Sequence, residues 1–327
     1  MNRGKVYLHV GLQKTASTFL QKELFPYMAG VSYVGRPYTQ ENDAFNSLQY
    51  ADDSLYSYDA LAKEIELIKK NIGNAPLLIS DEMFSGYPLY GMINRGIIAH
   101  RLGALIPEAE VILFLRGQAD LIESLYNQYV KIGFFSNDLD DSFLYKHGSG
   151  FSYQAWHDGK REWTYQNRRF RHLSLFSGSH FLYSKLLSLY ESCFSKVHIF
   201  LYEDFKYNPE ENLARLEHIL SAKIPQPLQG KKNTVNPSLN EEKLRLRIIQ
   251  NRLSSVFPDR LAQKYFRRFS AKPTSSFINL QSKEERRNYV IDLLQSAGVF
   301  EDNKTLNNSR KLGMEKFAGN YFADVAS

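Results

Sequence analysis

The sequence predicts an α/β fold of three layers, in which helices cover both faces of a central, mostly parallel sheet. Four short segments are apolar at nearly every position, as strands buried on both faces of a sheet are. Segments with helical spacing alternate with these strands along the chain. This alternation is typical of parallel sheets, which bind their ligands beyond the carboxyl ends of the strands. A functional site is therefore expected at that edge.

Each predicted strand ends in polar or glycine-bearing sequence of the kind that a binding site needs. The strands comprise residues 5–10 (KVYLHV), 76–80 (PLLIS), 110–115 (EVILFL) and 197–202 (VHIFLY). The residues that follow them are, in order, Gly11, Asp81 with Glu82, Arg116 with Gly117, and Glu203 with Asp204.

The first predicted helix covers residues 15–25, with Phe19, Leu20 and Leu24 facing inward and Pro26 ending it. Two longer helices are predicted over residues 58–71 and 120–132.

The helix after the fourth strand carries a sequence signal for its start. Asn208 occupies the N-cap position, Pro209 the first helical position, and Glu211 stands three residues after the cap.

Length and composition predict a single domain over residues 1–327. The chain of 327 residues is 43% hydrophobic and 23% charged, which is ordinary for a globular enzyme and argues against disorder. Residues 137–179 are polar, aromatic and basic without a clear period, so they form either an insertion over the active site or a plain surface excursion. Residues 240–327 are predicted to be a helical, basic part of the same domain.

Charge and cysteine content narrow the class of protein. A net charge of +6 fits either a solvated basic surface or a cleft for an anionic ligand. The chain has one cysteine, Cys193, and no apolar stretch of signal-peptide or membrane-span length. These features predict a cytoplasmic protein. No cysteine or histidine cluster has metal-ligand spacing, so no metal requirement is predicted.

The first motif lies where the strand KVYLHV turns into a helix. Backbone N–H groups and the helix dipole favour a phosphate at such a turn. Lys14 adds a positive charge, while Thr15, Ser17 and Thr18 add hydroxyl donors. Alternatively, Lys14 is a surface residue and the hydroxyls cap the helix.

The second motif joins the third strand to the following helix. Arg116 ends the strand and can pair with a phosphate through two N–H groups, and Ser124 lies eight residues later on the helix. Taken alone, the pair is better explained as a salt-bridged arginine and a solvent-facing serine.

Together the two motifs resemble the PAPS-dependent sulfotransferases, whose donor is 3′-phosphoadenosine 5′-phosphosulfate (PAPS). The family pattern K-T/S-G-T/S-T stands here as Lys14, Thr15, Ala16, Ser17 and Thr18. The resemblance implies a P-loop-like fold, with this loop on the 5′-phosphate and the lysine on the sulfate. Alanine replaces the usual glycine at the third position, and we expect it to adopt a helical φ.

The resemblance extends to the second motif and to residues 181–220. It implies that Arg116 and Ser124 bind the 3′-phosphate of the nucleotide. Gln118 replaces the proline that is usual two positions after the arginine. The family often closes a basic loop over the nucleotide, and Lys231 or Lys232 is the candidate for that contact, although a solvated turn fits as well.

Glu82 is the candidate general base that accepts the proton of the attacking hydroxyl. It follows the second strand and lies between the two motifs in the sequence. Carbohydrate sulfotransferases often use a glutamate in this region. Asp81 is the rival. Alternatively, one of the two carboxylates only caps the next helix. The acceptor implied is a carbohydrate or glycolipid hydroxyl, with a small phenol or alcohol as the alternative.

Two other classes compete with this interpretation. PLLIS followed by Asp81 and Glu82 resembles the Walker B strand of a P-loop ATPase or kinase, but Lys14 does not fit the G-x-x-x-x-G-K-S/T spacing. A non-catalytic protein that binds anions or RNA fits the net charge, although no nucleic-acid motif supports it.

Overall fold

The computed structural model describes residues 4–36, 38, 44–87, 91–140, 143–145, 176–225, 239–254 and 280–322. The chain divides into two compact units. The first comprises Met1–Gly117, His180–Val235 and Val299–Ser327, and the second comprises Gln118–Ser179 and Asn236–Gly298. Most of the predicted insertion, residues 146–175, lies outside the described residues, as do Lys231 and Lys232.

Within the described residues, seven strands form two sheets. They are β1 (Val6–His9), β2 (Ser32–Gly35), β3 (Leu77–Ser80), β4 (Glu110–Leu115), β5 (Leu144–Tyr145), β6 (Phe176–Ser177) and β7 (Lys196–Leu201). The first unit holds a five-stranded sheet in the order β2-β3-β1-β4-β7, and all of its strand pairs are parallel. Helices surround this sheet, so the predicted α/β fold is confirmed.

The described residues include twelve α-helices. They are α1 (Ser17–Phe19), α2 (Ala44–Tyr50), α3 (Tyr58–Ile72), α4 (Arg95–Leu105), α5 (Gln118–Lys131), α6 (Tyr183–Cys193), α7 (Tyr202–Tyr207), α8 (Pro209–Leu220), α9 (Glu241–Ser254), α10 (Lys283–Ser296), α11 (Val299–Arg310) and α12 (Ala318–Tyr321). Short 3₁₀ turns cover Phe25–Tyr27, Glu82–Ser85, Gly178–Phe181 and Met314–Phe317, and a π-helical turn covers Leu20–Leu24.

The central strands are buried on both faces, which explains their continuous apolar sequence. Tyr7, Leu78 and Ile112 belong to the core cluster on one face, together with Leu20 and Leu24 from the turn after α1. Neighbouring residues on the same strands point to the opposite face and are equally buried. Burial of both faces fixes the register, because a slip by one residue exchanges the two sets.

The predicted helix over residues 15–25 is present as a helical segment over residues 17–27, but its type changes along its length. Only Ser17–Phe19 is α-helical, and the chain then continues through the π turn Leu20–Leu24 and a 3₁₀ turn that contains Pro26. Pro26 therefore does not end a helix but stands in the first turn of the next one, where its missing N–H costs nothing. Leu20 and Leu24 face inward as predicted, whereas Phe19 is only half-buried.

Sequence periodicity missed the edge strand β2 and misjudged one cap. Every residue of β2 is half-buried, so the segment shows neither a continuous apolar run nor alternation. Asn208 does stand before α8, but its side chain makes no capping bond. Its Nδ2 instead donates to Asp204 Oδ1 at 2.7 Å, in the preceding helix.

The second unit packs α5, α9 and α10 with the small parallel sheet of β5 and β6. Edge-to-face contacts join Tyr129 with Phe143 and Phe176 at its centre. Arg286 pairs with both oxygens of Glu241 at 3.2 and 2.6 Å and so links α10 to α9. Across both units, the described helices include none long and apolar enough to cross a membrane.

Candidate functional site

The carboxyl edge of the central sheet brings together three of the predicted site residues. Strand β1 lies between β3 and β4, so the segments that follow these strands are neighbours. We call residues 11–16 the β1 loop and residues 81–86 the β3 turn. The guanidinium of Arg116 donates from Nη1 to the carbonyl oxygen of Lys14 at 2.7 Å. Gln13 reaches the other way and donates to the carbonyl oxygen of Glu82 at 2.9 Å.

Two residues of the β1 loop have left-handed backbone conformations. Lys14 has φ of 67° and Ala16 has φ of 65°, while Thr15 between them keeps a negative φ. The expectation of a helical φ at Ala16 is therefore wrong, and alanine here adopts the conformation that glycine usually supplies. Left-handed residues in such a turn can direct successive N–H groups into one concavity, an arrangement that binds anions.

Thr15 holds the loop together from inside. Its side chain is fully buried and donates from Oγ1 to the carbonyl oxygen of Leu12 at 2.5 Å. Ala16 is the N-cap of α1, and no side chain caps this helix. The alternative in which the hydroxyls of Thr15, Ser17 and Thr18 cap the helix is therefore wrong for the N-cap of α1. Any contact of Thr15 with a phosphate would come from its backbone N–H.

Gln13 is a structural residue of the site that sequence reasoning missed. It is buried, and its Nε2 donates to the carbonyl oxygens of Glu82 at 2.9 Å and Gly86 at 3.0 Å. One amide group thus fixes the β3 turn against the β1 loop. Its partners lie about seventy positions away in the chain, and no local pattern signals such a contact.

Arg116 stands at the end of β4 in a half-buried position. Its guanidinium lies 4.7 Å from the centre of the Tyr202 ring, and the Tyr183 hydroxyl donates to its carbonyl oxygen. The Nε atom of Arg116 is buried without a hydrogen-bond partner. Arg116 therefore has donor capacity left for an anion. Ser124, its predicted companion, lies half-buried on α5 in the second unit.

Asp81 is the capping residue of the adjacent carboxylate pair. It is fully buried, and its Oδ1 accepts from the backbone N–H of Met83 at 2.9 Å at the start of the 3₁₀ turn. Its Oδ2 accepts from Tyr38 Oη at 2.8 Å and from Gln49 Nε2 at 2.6 Å. Burial first, and the negative charge of Glu82 second, raise the pKa of Asp81 from 3.8 to about 6.

Glu82 is the carboxylate that stays accessible. It is half-buried, and its Oε2 accepts from Gln21 Nε2 at 2.7 Å. Its other oxygen accepts no hydrogen bond from the described residues. The two carboxylates are adjacent in the sequence but differ in environment. Asp81 is enclosed by hydrogen-bond donors, whereas Glu82 has an accessible oxygen.

His9 is a second buried polar residue that the sequence analysis overlooked. It ends β1 with no exposed surface, and its Nδ1 lies 2.7 Å from Ser80 Oγ. Burial lowers the pKa of His9 from 6.5 to about 3, so the ring is neutral at physiological pH. A Cβ at Gly11 would lie 2.7 Å from His9 Nε2, and glycine is therefore needed where the loop crosses the ring.

The remaining predicted residues are placed as follows. Ser17 is buried and Thr18 half-buried, both in α1 at the end of the β1 loop. Among the described residues, no group of three histidine, cysteine, aspartate or glutamate side chains is arranged to hold a metal ion.

Comparison with solved structures gives a weak structural likeness. No family model matches the chain, and no curated protein sequence matches it. The chain is similar to a solved structure described as a sulfotransferase from Alicyclobacillus acidocaldarius, with 15% identity and a TM-score of 0.41. The alignment covers 80% of this chain and 94% of that one. The likeness assigns no role to any residue.

The left-handed Ala16 predicts an unusual response to glycine. Left-handed backbone costs a non-glycine residue roughly 1–2 kcal/mol, which exceeds the added chain entropy of glycine. Ala16→Gly should therefore leave the free energy of unfolding unchanged or raise it by up to about 1 kcal/mol. Ala62→Gly, inside α3, should lower it by about 1 kcal/mol. Urea unfolding checks both, and an equal loss in the two variants would contradict the left-handed loop.

The buried His9 predicts a specific loss of stability in acid. Between pH 6.5 and about 3 the unfolded chain takes up a proton that the folded chain does not, so stability falls as the pH falls through that window. Between pH 7 and 5 the wild type should lose about 2 kcal/mol relative to His9→Gln. Asp81 titrates in both proteins and cancels in the difference.

Urea unfolding at the two pH values measures this loss. His100→Gln, at an exposed position of α4, serves as the control and should change the free energy of unfolding by less than about 0.5 kcal/mol at either pH. An equal pH dependence of the wild type and His9→Gln would show that His9 is not buried in its neutral form.

Proposed function

We propose that this protein is a PAPS-dependent sulfotransferase, which moves a sulfuryl group from PAPS to an acceptor hydroxyl. The observation that carries the proposal is the left-handed pair Lys14 and Ala16 in the β1 loop, directly before α1. It supports a phosphate site at the position where the sequence carries the sulfotransferase-like motif.

The first unit offers the hydrogen-bond donors and positive charges that a nucleotide bisphosphate requires. The β1 loop offers backbone N–H groups and the Lys14 ammonium, which suit the 5′-phosphosulfate. Arg116 has a buried Nε without a partner, and it suits the 3′-phosphate. Ser17, Thr18 and Ser124 are the proposed hydroxyl donors, and Lys231 or Lys232 is the proposed basic contact from outside the described residues.

The proposed reaction is an in-line transfer. The acceptor oxygen forms a bond to sulfur while the bond from sulfur to the phosphate oxygen breaks, and the bonding electrons stay on that phosphate oxygen. Glu82 takes the proton of the acceptor hydroxyl through its accessible oxygen. Lys14 and the loop N–H groups stabilise the negative charge that builds on the leaving phosphate. These roles require no metal ion.

The acceptor that we propose is a hydroxyl of a carbohydrate or glycolipid. A glutamate as the base supports this choice, because the resemblance links glutamate to the carbohydrate enzymes. Half-exposed aromatic rings near the β3 turn, Tyr50 and Tyr87, are in contact at 5.3 Å and offer surfaces on which a sugar ring can stack.

The kinase alternative is disfavoured by the position of Asp81. A Walker B aspartate must present its carboxylate to a hydrated magnesium ion, whereas both oxygens of Asp81 are fully buried and accept hydrogen bonds from protein donors. A non-catalytic anion-binding protein would use the same loop, and only a measurement of transfer separates it from an enzyme.

Binding of the product nucleotide, 3′-phosphoadenosine 5′-phosphate, tests the donor site. At about 100 times its dissociation constant it should stabilise the wild type by roughly 2.7 kcal/mol, which a thermal shift detects. The shift should resist a metal chelator and should be lost in Arg116→Ala. Lys22→Ala, at an exposed position after α1, is the matched control and should keep it. A shift with ATP and magnesium alone would instead favour the kinase.

Transfer of sulfuryl from PAPS to a panel of hydroxyl acceptors tests the catalytic roles. Glu82→Gln should lower kcat by about 10²- to 10⁴-fold without weakening product-nucleotide binding, because it removes the base alone. Lys14→Ala should abolish transfer while the fold survives. Glu66→Gln, at an exposed site on α3, should behave as wild type. Full activity of Lys14→Ala would refute the mechanism, and absence of transfer with intact nucleotide binding would favour a binding protein.

A further inference from the structure

We propose that Gln21 is a positioning residue, which fixes the Glu82 carboxylate so that its accessible oxygen meets the acceptor hydroxyl. The inference rests on the proposed function, since it concerns the base of that reaction. Gln21 is not part of either sequence motif, and it lies in the π turn that follows α1.

Both N–H groups of the Gln21 amide have acceptors. A glutamine amide carries two donors on one nitrogen. Nε2 of Gln21 lies 2.7 Å from Glu82 Oε2 and 3.3 Å from Ser80 Oγ. Two acceptors in different directions hold the amide in one orientation, and the amide in turn holds one oxygen of the carboxylate. The second oxygen of Glu82 is left for the substrate.

A buried layer beneath Gln21 keeps the amide in place. Ser80 Oγ lies 2.7 Å from His9 Nδ1, and neither residue has exposed surface. The hydroxyl of Tyr33 donates to the backbone carbonyl oxygen of Gln21 at 3.3 Å. Gln21 itself is only 8% exposed. The polar chain from His9 through Ser80 and Gln21 therefore reaches the base from inside the sheet, where water does not compete.

The π turn supplies the backbone position of Gln21. Leu20 and Leu24, at its two ends, are buried in the core on one face of the sheet. Burial of both ends fixes the position of the π turn against the sheet. Single π-helical turns occur frequently at functional sites.

The chemistry of the amide suits the role of a positioning group. A neutral donor orients the carboxylate without adding a positive charge beside it, so the carboxylate remains able to accept a proton. Loss of orientation at a base lowers the rate without removing the base, because fewer molecules hold a reactive geometry. We expect Gln21→Met, which keeps the length of the side chain, to lower kcat about tenfold and to leave product-nucleotide binding unchanged.

A double-mutant cycle on kcat, made with the full-length protein, tests the proposal. Gln21→Met should lower kcat in the wild-type background and have almost no effect in Glu82→Gln, since no base is left to orient. Losses that multiply in the double variant would show that Gln21 acts only on the fold and would overturn the role. No transfer by the wild type would overturn the proposed function itself, which is a different outcome.

Gln49→Met is the matched control. Gln49 is also a buried glutamine, and its Nε2 also donates to a carboxylate, at 2.6 Å from Asp81 Oδ2. Its loss should lower the melting temperature but change kcat less than threefold, and the effect should multiply with that of Glu82→Gln. A loss in kcat as large as that of Gln21→Met would overturn the assignment of orientation to Gln21.

An NMR measurement tests the contact between Gln21 and Glu82 directly and does not require activity. In protein labelled with ¹⁵N-glutamine, the side-chain amide signal of Gln21 is assigned by its absence in Gln21→Met, or in Gln21→Glu where the first variant fails to fold. This signal should move in Glu82→Ala, which removes its acceptor. An unmoved signal would overturn the positioning contact whether or not the protein transfers sulfuryl.

Discussion

The turn from β1 into α1 is the constraint on which the candidate site depends. It places Lys14 and Ala16 in left-handed conformations that cost free energy, so other contacts must hold it. Gln13 ties it to the β3 turn on one side, and Arg116 ties it to the end of β4 on the other. Both contacts exist because β3 and β4 flank β1 in the sheet. The order of the strands therefore stabilises the backbone geometry that favours an anion.

The same edge separates two adjacent carboxylates by environment alone. Asp81 is enclosed by donors and caps the next turn, and burial raises its pKa to about 6. Glu82, one residue later, keeps one oxygen accessible and gives the other to Gln21. Burial decides this division, because a carboxylate without exposed surface cannot contact a substrate. The same difference in burial favours Glu82 as the proposed base. It also argues against the kinase, which would need an accessible Asp81.

Buried polar side chains connect the candidate site to the interior of the central sheet. His9, Ser80 and Gln21 form a continuous hydrogen-bonded chain that ends at Glu82. Buried polar chains are stable only when most of their donors and acceptors are paired, and a paired chain is rigid. Rigidity of this kind is what a base needs if one oxygen is to face a substrate in a fixed direction. The unpaired Nε2 of His9 lies so close to Gly11 that no side chain fits at position 11.

The sequence by itself determined the parallel strands β1, β3, β4 and β7 to within a residue or two, because strands buried on both faces are written as continuous apolar runs. It also identified Lys14, Glu82 and Arg116 as residues after those strands. It did not determine the half-buried edge strand β2, the π turn after α1 or the left-handed φ of Ala16, since none of these has a local hydrophobic signal. Only the tertiary structure decided that Asp81 is the cap and that Gln13, Gln21 and His9 support the site. Their partners lie 59 to 73 positions away, and such contacts exist only after the sheet has brought the strand ends together.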